Sequence, residues 1–368
     1  MISNAERDQL LSEVENLENV VGVAKTGTKG RPCALVSEKK DERDLDDDEI
    51  VANNASRDAG VMEIGEIRSH SCAVGDDLLE AHGDRHDRHR PTQAGVSATN
   101  IGSTACTLTG VAKVTHADAP TVQRSAAVSE GDYVHAFNCH CAAMGGDAEF
   151  GSQVVQPSPY DGGTSEDAVG EFCGYVPLED GVKTDYSEAT INDLEAASAQ
   201  VHNLDSQYGR RIKRSNYRDL IGTEVVNSGR TVGVKRSIVR AVGASVNVGY
   251  SGGKTVKTEN AIITKPPDGG PTMSEGGQSG APVFSESENG ALTGVLYAGS
   301  DRATILSTIA ATEELAGVEF MPTGTELTED DPGDGGDGGD GGDDGPTPPP
   351  ETSWYDWILE LLRRYRNG

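Results

Sequence analysis

Short runs of β-branched residues recur from about Gly95 to Phe320, and they constrain the fold of this 368-residue chain more than any other feature. Glycine, asparagine, aspartate and proline separate the runs, as in CTLTGVAKVT (106–115), DYVHAF (132–137) and LTGVLYAG (292–299). The 46 glycines fit a turn-rich protein, because glycine is costly inside helices. Many short strands at close spacing predict a β-barrel or β-sandwich, so we expect a mainly β protein.

The residues before this region predict a small α/β domain over 1–90. Helical spacing of apolar residues covers 5–19, and a second short helix is expected at 46–56. Strands are expected at Val20–Ala24, Cys33–Ser37 and Val61–Ile67. The polar stretch AHGDRHDRHR (81–90) breaks every periodicity before Pro91, and it predicts a boundary between this domain and a β domain over 91–323.

Two further segments follow the β region. Residues 324–351 include GDGGDGGDGGDDGPTPPP, a composition typical of an extended linker. Residues 352–368 predict an amphipathic helix, because its large apolar residues share one face. They are Trp354, Trp357, Ile358, Leu361 and Tyr365. We expect this helix to dock on a partner protein; packing on its own domain and binding to a membrane surface are the alternatives.

The formal net charge of -29 excludes nucleic acid and anionic membranes as partners of the main body. Acidic runs also occur early in the chain, which favours adaptation to high salt over an ordinary protein with an acidic tail. No signal-peptide pattern and no bilayer-length apolar run is found. We therefore expect a cytoplasmic protein, with a virus particle as the alternative location, and six reduced cysteines.

The segment EGGQSGAPVF (275–284) predicts a tight turn that presents a serine hydroxyl. Gly277 and Gly280 allow the backbone to bend, so that the amide groups of Gly277 and Ser279 converge on one point. Converging amides are what a tetrahedral oxyanion requires. By itself the motif also fits a simple β-turn, and a nucleophilic serine needs a base and an orienting acid elsewhere.

Among the eight histidines, His140 has the best context for a base, because it follows a strand-like run and lies among small residues. Its neighbours Cys139 and Cys141 suggest zinc, but on an extended strand they would point away from the imidazole. His82, His86 and His89 lie in the charged 81–90 stretch, where solvated side chains are expected, while His70, His116 and His202 have no supporting pattern. We predict no metal site and no cofactor.

An ordered series of motifs resembles the trypsin-like, chymotrypsin-fold serine proteases of bacteria and archaea, with a haloarchaeal or haloarchaeal-virus member as the expected source. The series begins with RHRPTQAGVSATN (88–100) and the other motifs follow in family order. They are FNCHCAA (137–143), VVQPSPYDGG (154–163), KTDYSEATI (183–191), VVNSGRTVGV (225–234) and GGQSGAPVF (276–284). The similarity covers most of residues 20–320, and the resemblance implies two β-barrels with a catalytic cleft between them.

Position by position, the resemblance implies Ser279 as nucleophile, His140 as general base and Asp185 as the orienting carboxylate, with the oxyanion held by the amides of Gly277 and Ser279. Asp161, Asp180 and Asp193 compete with Asp185, whose flanking residues depart from the family pattern. Gln278 stands where the family usually has aspartate, and Cys139 where it often has asparagine. Neither change removes a member of the triad.

The resemblance also implies a substrate pocket lined by Met273 and Gly299, with no acidic residue clearly at its base, so we expect a preference for side chains other than arginine and lysine. SGRT (228–231) predicts a barrel hairpin, with a buried ion pair of Arg230 as the alternative. The leading hypothesis is a serine endopeptidase acting on peptides or proteins. The alternatives are an esterase on the same triad and a catalytically idle module that binds partners through the C-terminal helix, for example in a virus particle.

Overall fold

This computed structural model describes residues 19–27, 31–38, 60–69 and 81–328. The fold is mainly β, as the sequence predicts, and most strands belong to two large sheets. A third sheet is a parallel pair formed by β4 (Thr92–Ala94) and β12 (Ala197–Val201). Within these ranges, no helix is both long enough and apolar enough to cross a bilayer.

The first large sheet has eight strands, in the order β19-β6-β8-β11-β10-β9-β5, with β7 paired to β10. Its strands are β5 (Thr99–Asn100), β6 (Gly110–Val114), β7 (Gln123–Arg124), β8 (Tyr133–Phe137), β9 (Gln153–Val155), β10 (Ala168–Tyr175), β11 (Ser187–Thr190) and β19 (Val318–Phe320). All of the pairings are antiparallel, and the late strand β19 returns to pair with β6. The strand β19 therefore connects the end of the described chain to the first large sheet.

The second large sheet has nine strands. Six of them form a closed antiparallel ring, called the second barrel below, because β13 pairs with both β16 and β14. The ring strands are β13 (Glu224–Gly229), β14 (Gly233–Gly249), β15 (Thr255–Lys265), β16 (Pro282–Ser285), β17 (Ala291–Gly299) and β18 (Thr304–Thr308). Side chains of β14 alternate between buried and more exposed positions, as expected when one face of a sheet covers a core.

The other three strands of this sheet come from the start of the chain: β1 (Val20–Thr26), β2 (Arg31–Val36) and β3 (Gly60–Glu63). The first two agree with the predicted strands, and the third covers only the beginning of the expected strand Val61–Ile67. β1 pairs with the second half of β14, so these strands continue the sheet of the second barrel and do not form a sheet of their own. The proposed domain boundary near residue 90 stays a prediction.

Two α-helices lie within the described ranges, α1 (Cys139–Ala142) and α2 (Ile309–Ala316). The helix α1 is a single turn that follows β8 directly. The helix α2 is capped at its start by Thr308, whose hydroxyl accepts a hydrogen bond from the amide of Ala311. Its C-terminal cap is Gly317, with a φ of 63°. The turn α1 corrects the expectation that His140 lies on an extended strand.

The expected helices at 5–19 and 46–56 and the expected C-terminal helix at 352–368 lie outside the described residues, as does most of the predicted linker. Docking of this helix on a partner stays a prediction.

Candidate active site

The turn that carries Ser279 depends on two glycines in left-handed backbone conformations. Gly277 has a φ of +83° and Gly280 a φ of +93°. A Cβ atom at Gly280 would lie 2.0 Å from the carbonyl oxygen of Thr107, and one at Gly277 would lie 2.7 Å from Nη1 of Arg230. Only glycine therefore fits both positions, because a side chain would meet strained torsion angles and an occupied space at once.

The amides of the serine turn differ in their hydrogen-bond partners. The amide of Gln278 donates to the carbonyl of Glu275, and the amide of Gly280 donates to the carbonyl of Leu296. Among the residues that the structure describes, no acceptor takes the amides of Gly277 or Ser279. These two donors are thus available for the oxygen of a bound carbonyl group.

His140 lies on α1 and is buried, with 6% of its surface exposed. Its Nδ1 donates to Oδ2 of Asp185 at 2.6 Å, and its main-chain amide donates to Oδ1 of the same carboxylate at 3.2 Å. These two hydrogen bonds hold the imidazole in one orientation. The second ring nitrogen, Nε2, does not contact Asp185. This is the geometry that a carboxylate-oriented base requires.

Asp185 lies just before β11 and is also buried. Its Oδ2 accepts a further hydrogen bond, of 3.1 Å, from the hydroxyl of Tyr250. Burial and the neighbouring Asp185 charge raise the pKa of Tyr250 well above its usual value, so the phenol stays protonated and can donate. The side-chain amide of Asn138 donates to the main-chain carbonyl of Asp185 at 2.7 Å and fixes the segment.

The three competing aspartates lie in other settings. Asp180 accepts a hydrogen bond from the amide of Lys257, and Asp193 accepts one from the amide of Glu195 at the start of a short 3-10 helix. Asp161 forms an ion pair with Arg230. Of the four candidates, Asp185 is the one that the structure brings to His140.

Ser279 lies beside the histidine turn through its main chain. Its carbonyl accepts a hydrogen bond from the amide of Thr107 and lies 4.0 Å from Sγ of Cys141, the residue after His140. The side-chain Oγ of Ser279 and Nε2 of His140 are both buried, and neither has a hydrogen-bond partner in the structure. No hydrogen bond therefore joins the hydroxyl of Ser279 to the imidazole of His140 in the described part of the chain.

A disulfide between Cys106 and Cys141 joins α1 to the segment before Thr107. The expectation that all six cysteines are reduced is wrong for this pair, because folding brings together two residues that lie 35 positions apart. Disulfides of this kind persist in oxidising environments, so the pair does not support the expected cytoplasmic location. Cys33, Cys139 and Cys173 are buried and form no disulfide within the described residues, and burial raises the pKa of the Cys139 thiol.

Gln278 anchors the serine turn. It stands at the position where the family that this sequence resembles usually has aspartate. Its Oε1 accepts hydrogen bonds from the amides of Thr231 and Val232, at 3.0 and 3.1 Å. The turn is thereby tied to the hairpin between β13 and β14. A neutral side chain suffices here because the partners are two amides and not a charged group.

A buried ion pair between Arg230 and Asp161 lies next to the turn of Ser279. The guanidinium of Arg230 donates from Nε and Nη2 to the two carboxylate oxygens of Asp161, each at 2.6 Å. Thr231, the next residue, donates its hydroxyl to the carbonyl of Gly276 at 2.6 Å. The SGRT element thus forms both structures that the sequence left open, a barrel hairpin and an ion pair.

The two expected pocket residues have different surroundings. Met273 is fully buried and packs in an apolar cluster of the second barrel with Leu220 and Leu296, so its side chain contributes to the core. A Cβ at Gly299 would lie 2.3 Å from Oγ of Ser274, whose hydroxyl is buried and has no partner in the structure. Ser274, which sequence analysis missed, therefore faces Gly299.

Polar residues of the 81–90 stretch contact the end of β12. Nε2 of His202 and Oδ1 of Asp84 lie 2.9 Å apart, and Nε2 of His89 lies 2.9 Å from the carbonyl oxygen of Asp84. One potential metal-ligating atom from each of these residues lies within 4.8 Å of the others. The hydrogen bonds account for the arrangement, and the expected absence of a metal stays a prediction.

Tyr250 and Thr107 are the other site residues that sequence analysis missed. Tyr250 follows the long strand β14, and Thr107 lies in the CTLTGVAKVT run, where nothing in the local pattern distinguishes it. Thr107 donates its hydroxyl to the carbonyl of Gly277 at 2.9 Å, in addition to its amide contact with Ser279. Both contacts join distant parts of the chain, so a local sequence signal for them does not exist.

Comparison with known proteins gives similarity in structure only. No protein-family model matches the sequence, and neither does any curated protein. A glutamic-acid-specific serine protease and Thermobifida fusca protease A each align at 18% identity with a TM-score of 0.41. The alignments cover 62% and 63% of this chain and 100% of those proteins. A Cellulomonas bogoriensis chymotrypsin aligns at 17% identity, with 63% and 100% coverage and a TM-score of 0.41.

Proposed function

We propose that this protein is a serine endopeptidase that cleaves peptide bonds through Ser279, His140 and Asp185 by way of an acyl-enzyme. The observation that carries the proposal is the 2.6 Å hydrogen bond from Nδ1 of His140 to Asp185, in a buried site next to the glycine-framed serine turn. Its support is geometric, since Asp185 orients the imidazole of His140 and the main chain of Ser279 lies beside the histidine turn.

In this mechanism Oγ of Ser279 attacks the carbonyl carbon of the scissile bond, and Nε2 of His140 takes the hydroxyl proton. The negative charge on the carbonyl oxygen is held by the amides of Gly277 and Ser279. Asp185 stabilises the imidazolium and fixes its tautomer. His140 then protonates the leaving amine as the C–N bond breaks, and a water molecule hydrolyses the ester in the same way.

The substrate pocket in this proposal lies at Gly299 and Ser274. The only polar side chain that we place there is the neutral hydroxyl of Ser274, which would not attract a positively charged substrate side chain. We therefore keep the preference for residues other than arginine and lysine. Substrate profiling with peptide libraries at high salt would show which side chains are cleaved.

A fluorophosphonate probe tests the proposed nucleophile directly. Labelling of the wild-type protein and loss of labelling in Ser279→Ala are expected, because the probe reacts with an activated serine. Ser237→Ala is a matched control that removes another buried hydroxyl without a partner, on β14 and outside the proposed site, and it should still be labelled. Turnover of peptide and ester substrates then separates the endopeptidase from an esterase.

A catalytically idle binding module is the second candidate function. The observation that favours it is the missing contact between Ser279 and His140, whose reactive atoms are both buried. Absence of labelling under every condition, including after proteolytic cutting of the folded protein, would support this alternative and remove the enzyme proposal.

A further inference from the structure

The strand β17 runs past the serine turn and ends at Gly299. The amide of Gly280 donates to the carbonyl of Leu296, so β17 is fixed directly beside the nucleophile. Gly299 lies three residues further along, about 10 Å at the rise of an extended strand. An extended peptide with its carbonyl at Ser279 would therefore reach the main chain of Gly299 about three residues away from the reacting bond.

The main chain of Gly299 is already paired with residues from the start of the protein. The amide of Arg68 donates to the carbonyl of Gly299 at 3.0 Å, and the amide of Gly299 donates to the carbonyl of Arg68 at 2.9 Å. These two bonds make an antiparallel bridge. Main-chain bonding of this kind is how an extended peptide adds to the edge of a sheet.

The opposite side of the same short segment bonds to the end of β14. The amide of Gly249 donates to the carbonyl of Ile67, and the amide of Ser69 donates to the carbonyl of Gly249, each at 2.9 Å. Residues 66–69 thus lie between Gly249 and Gly299 and bond to both. Only one extended peptide fits between these two positions, so another peptide can bind there only if residues 66–69 leave.

We propose that residues 66–69 of this chain occupy the position of an extended substrate peptide between Gly249 and Gly299, and that they keep the protein latent. The inference rests on the proposed peptidase function, which it deepens by naming an intramolecular competitor of the substrate. Recognition depends little on the side chain of Arg68, which is 72% exposed and forms an ion pair with the exposed Glu66.

Contacts next to the bridge hold the segment in place. The hydroxyl of Ser300 donates to the carbonyl of Ile64, and Arg302 forms an ion pair with Glu63 at 3.2 Å. The side chains of Ile64 and Ile67 are buried in the apolar cluster of the second barrel. These contacts hold the segment in place, so a substrate peptide has to compete with an intramolecular ligand.

The burial of the reactive atoms agrees with a latent state. Oγ of Ser279 and Nε2 of His140 have almost no exposed surface in the chain. A substrate carbonyl cannot contact the hydroxyl without a rearrangement. An occupied main-chain site and a covered nucleophile are two separate observations, and both predict low activity for the intact protein.

The test compares Arg68→Pro with Arg68→Ala in the full-length protein. Proline removes the amide hydrogen that bonds Gly299, whereas alanine keeps it and removes only the exposed side chain. We expect Arg68→Pro to be labelled by the fluorophosphonate probe on the order of tenfold faster than wild type, the effect of losing one main-chain hydrogen bond. Arg68→Ala should be labelled at the wild-type rate.

The possible results separate this inference from the proposed function. Equal labelling rates in wild type, Arg68→Pro and Arg68→Ala would overturn the latent state and leave the peptidase intact. Labelling of none of the three, with Ser279→Ala as the blank, would count against the peptidase itself. Faster labelling of both variants would assign the effect to the side chain and would also overturn main-chain competition.

A measurement on the wild-type protein covers the case in which Arg68→Pro does not fold. A peptide aldehyde that bonds to Ser279 should displace residues 66–69, so hydrogen exchange at the amides of Arg68 and Ser69 should become faster on binding. The amide of Gly299 should stay protected, because the inhibitor replaces one partner by another. Unchanged exchange at Arg68 and Ser69 with the inhibitor bound would contradict the inference.

Discussion

At the scale of single residues, the carboxylate of Asp185 collects three donors: the imidazole and the main-chain amide of His140, and the hydroxyl of Tyr250. The phenol is a positioning group in the proposed mechanism, because it contacts the carboxylate and not the substrate. Its hydrogen bond spreads part of the negative charge that would otherwise act on the imidazole.

Tyr250→Phe should lower the rate of probe labelling by up to about tenfold, the effect of one hydrogen bond to a charged group. The acidic limb of the pH–rate profile should move to higher pH, because a carboxylate with fewer donors stabilises the imidazolium more strongly. Tyr175→Phe removes a hydroxyl bonded to Gln123 in the first sheet and is the control. A lower rate with an unmoved pH profile would indicate a structural role only.

His135 on β8 is fully buried, and burial together with the charge of Arg90 lowers its pKa to about 4. In the unfolded chain an imidazole has a pKa of about 6.5. As the pH falls from 6.5 to 4, His135 binds a proton in the unfolded chain but not in the folded chain, so the free energy of unfolding decreases. The loss reaches about 3 kcal/mol near pH 4, and none is expected above pH 7.

The comparison of wild type with His135→Gln checks this prediction by urea unfolding at several pH values. The difference in unfolding free energy between the two proteins should change by about 3 kcal/mol across that window. A pH-independent difference for His135→Gln would show that this imidazole is not shielded.

At the scale of elements, the serine turn depends on two neighbours, the β13–β14 hairpin and the 159–161 segment. Gln278 and Thr231 tie the turn to the hairpin, and the pair of Arg230 with Asp161 ties the hairpin to the segment. Because each contact spans different elements, the geometry of the oxyanion amides depends on the whole assembly and not on the glycines alone.

Arg230→Met should destabilise the protein by about 3–5 kcal/mol, because it leaves the buried carboxylate of Asp161 without its charged partner and with only the hydroxyl of Ser97 as a side-chain donor. Arg236→Met is a matched control on β14, where half-exposed ion pairs with Glu224 and Glu286 contribute less than about 1 kcal/mol. Chemical denaturation measures both. Equal effects of the two substitutions would contradict the structural role of the buried pair.

At the scale of the whole molecule, the excess of acidic groups dominates the electrostatics. The net charge of -29 produces self-repulsion in the compact state, which salt screens. The Debye length falls from about 30 Å at 0.01 M salt to about 8 Å at 0.15 M. The temperature of thermal unfolding should therefore rise by several degrees in KCl, mostly below about 0.2 M. A steady rise up to molar concentrations would indicate general salt exclusion.

The sequence predicted the mainly β fold and the principal strands because alternating and β-branched patterns are local. It predicted the glycine-framed turn of Ser279 for the same reason. The placement of Asp185 came from a resemblance, since KTDYSEATI has no local mark of a partner for His140. The helical turn at His140, the disulfide and the contacts of Tyr250 and Arg68 depend on folding in three dimensions, which a linear pattern does not encode.

The pairing of β1 with the second half of β14 has a consequence for cleaved forms of the protein. If a protease cuts between residues 70 and 80, the amino-terminal fragment stays bonded to β14 along Gly22–Thr26 and remains packed in the second barrel. If the fragment left, the edge of the long strand β14 would be exposed, and an exposed strand edge promotes aggregation. A nicked preparation should therefore run as two bands on a denaturing gel and elute as one species in gel filtration.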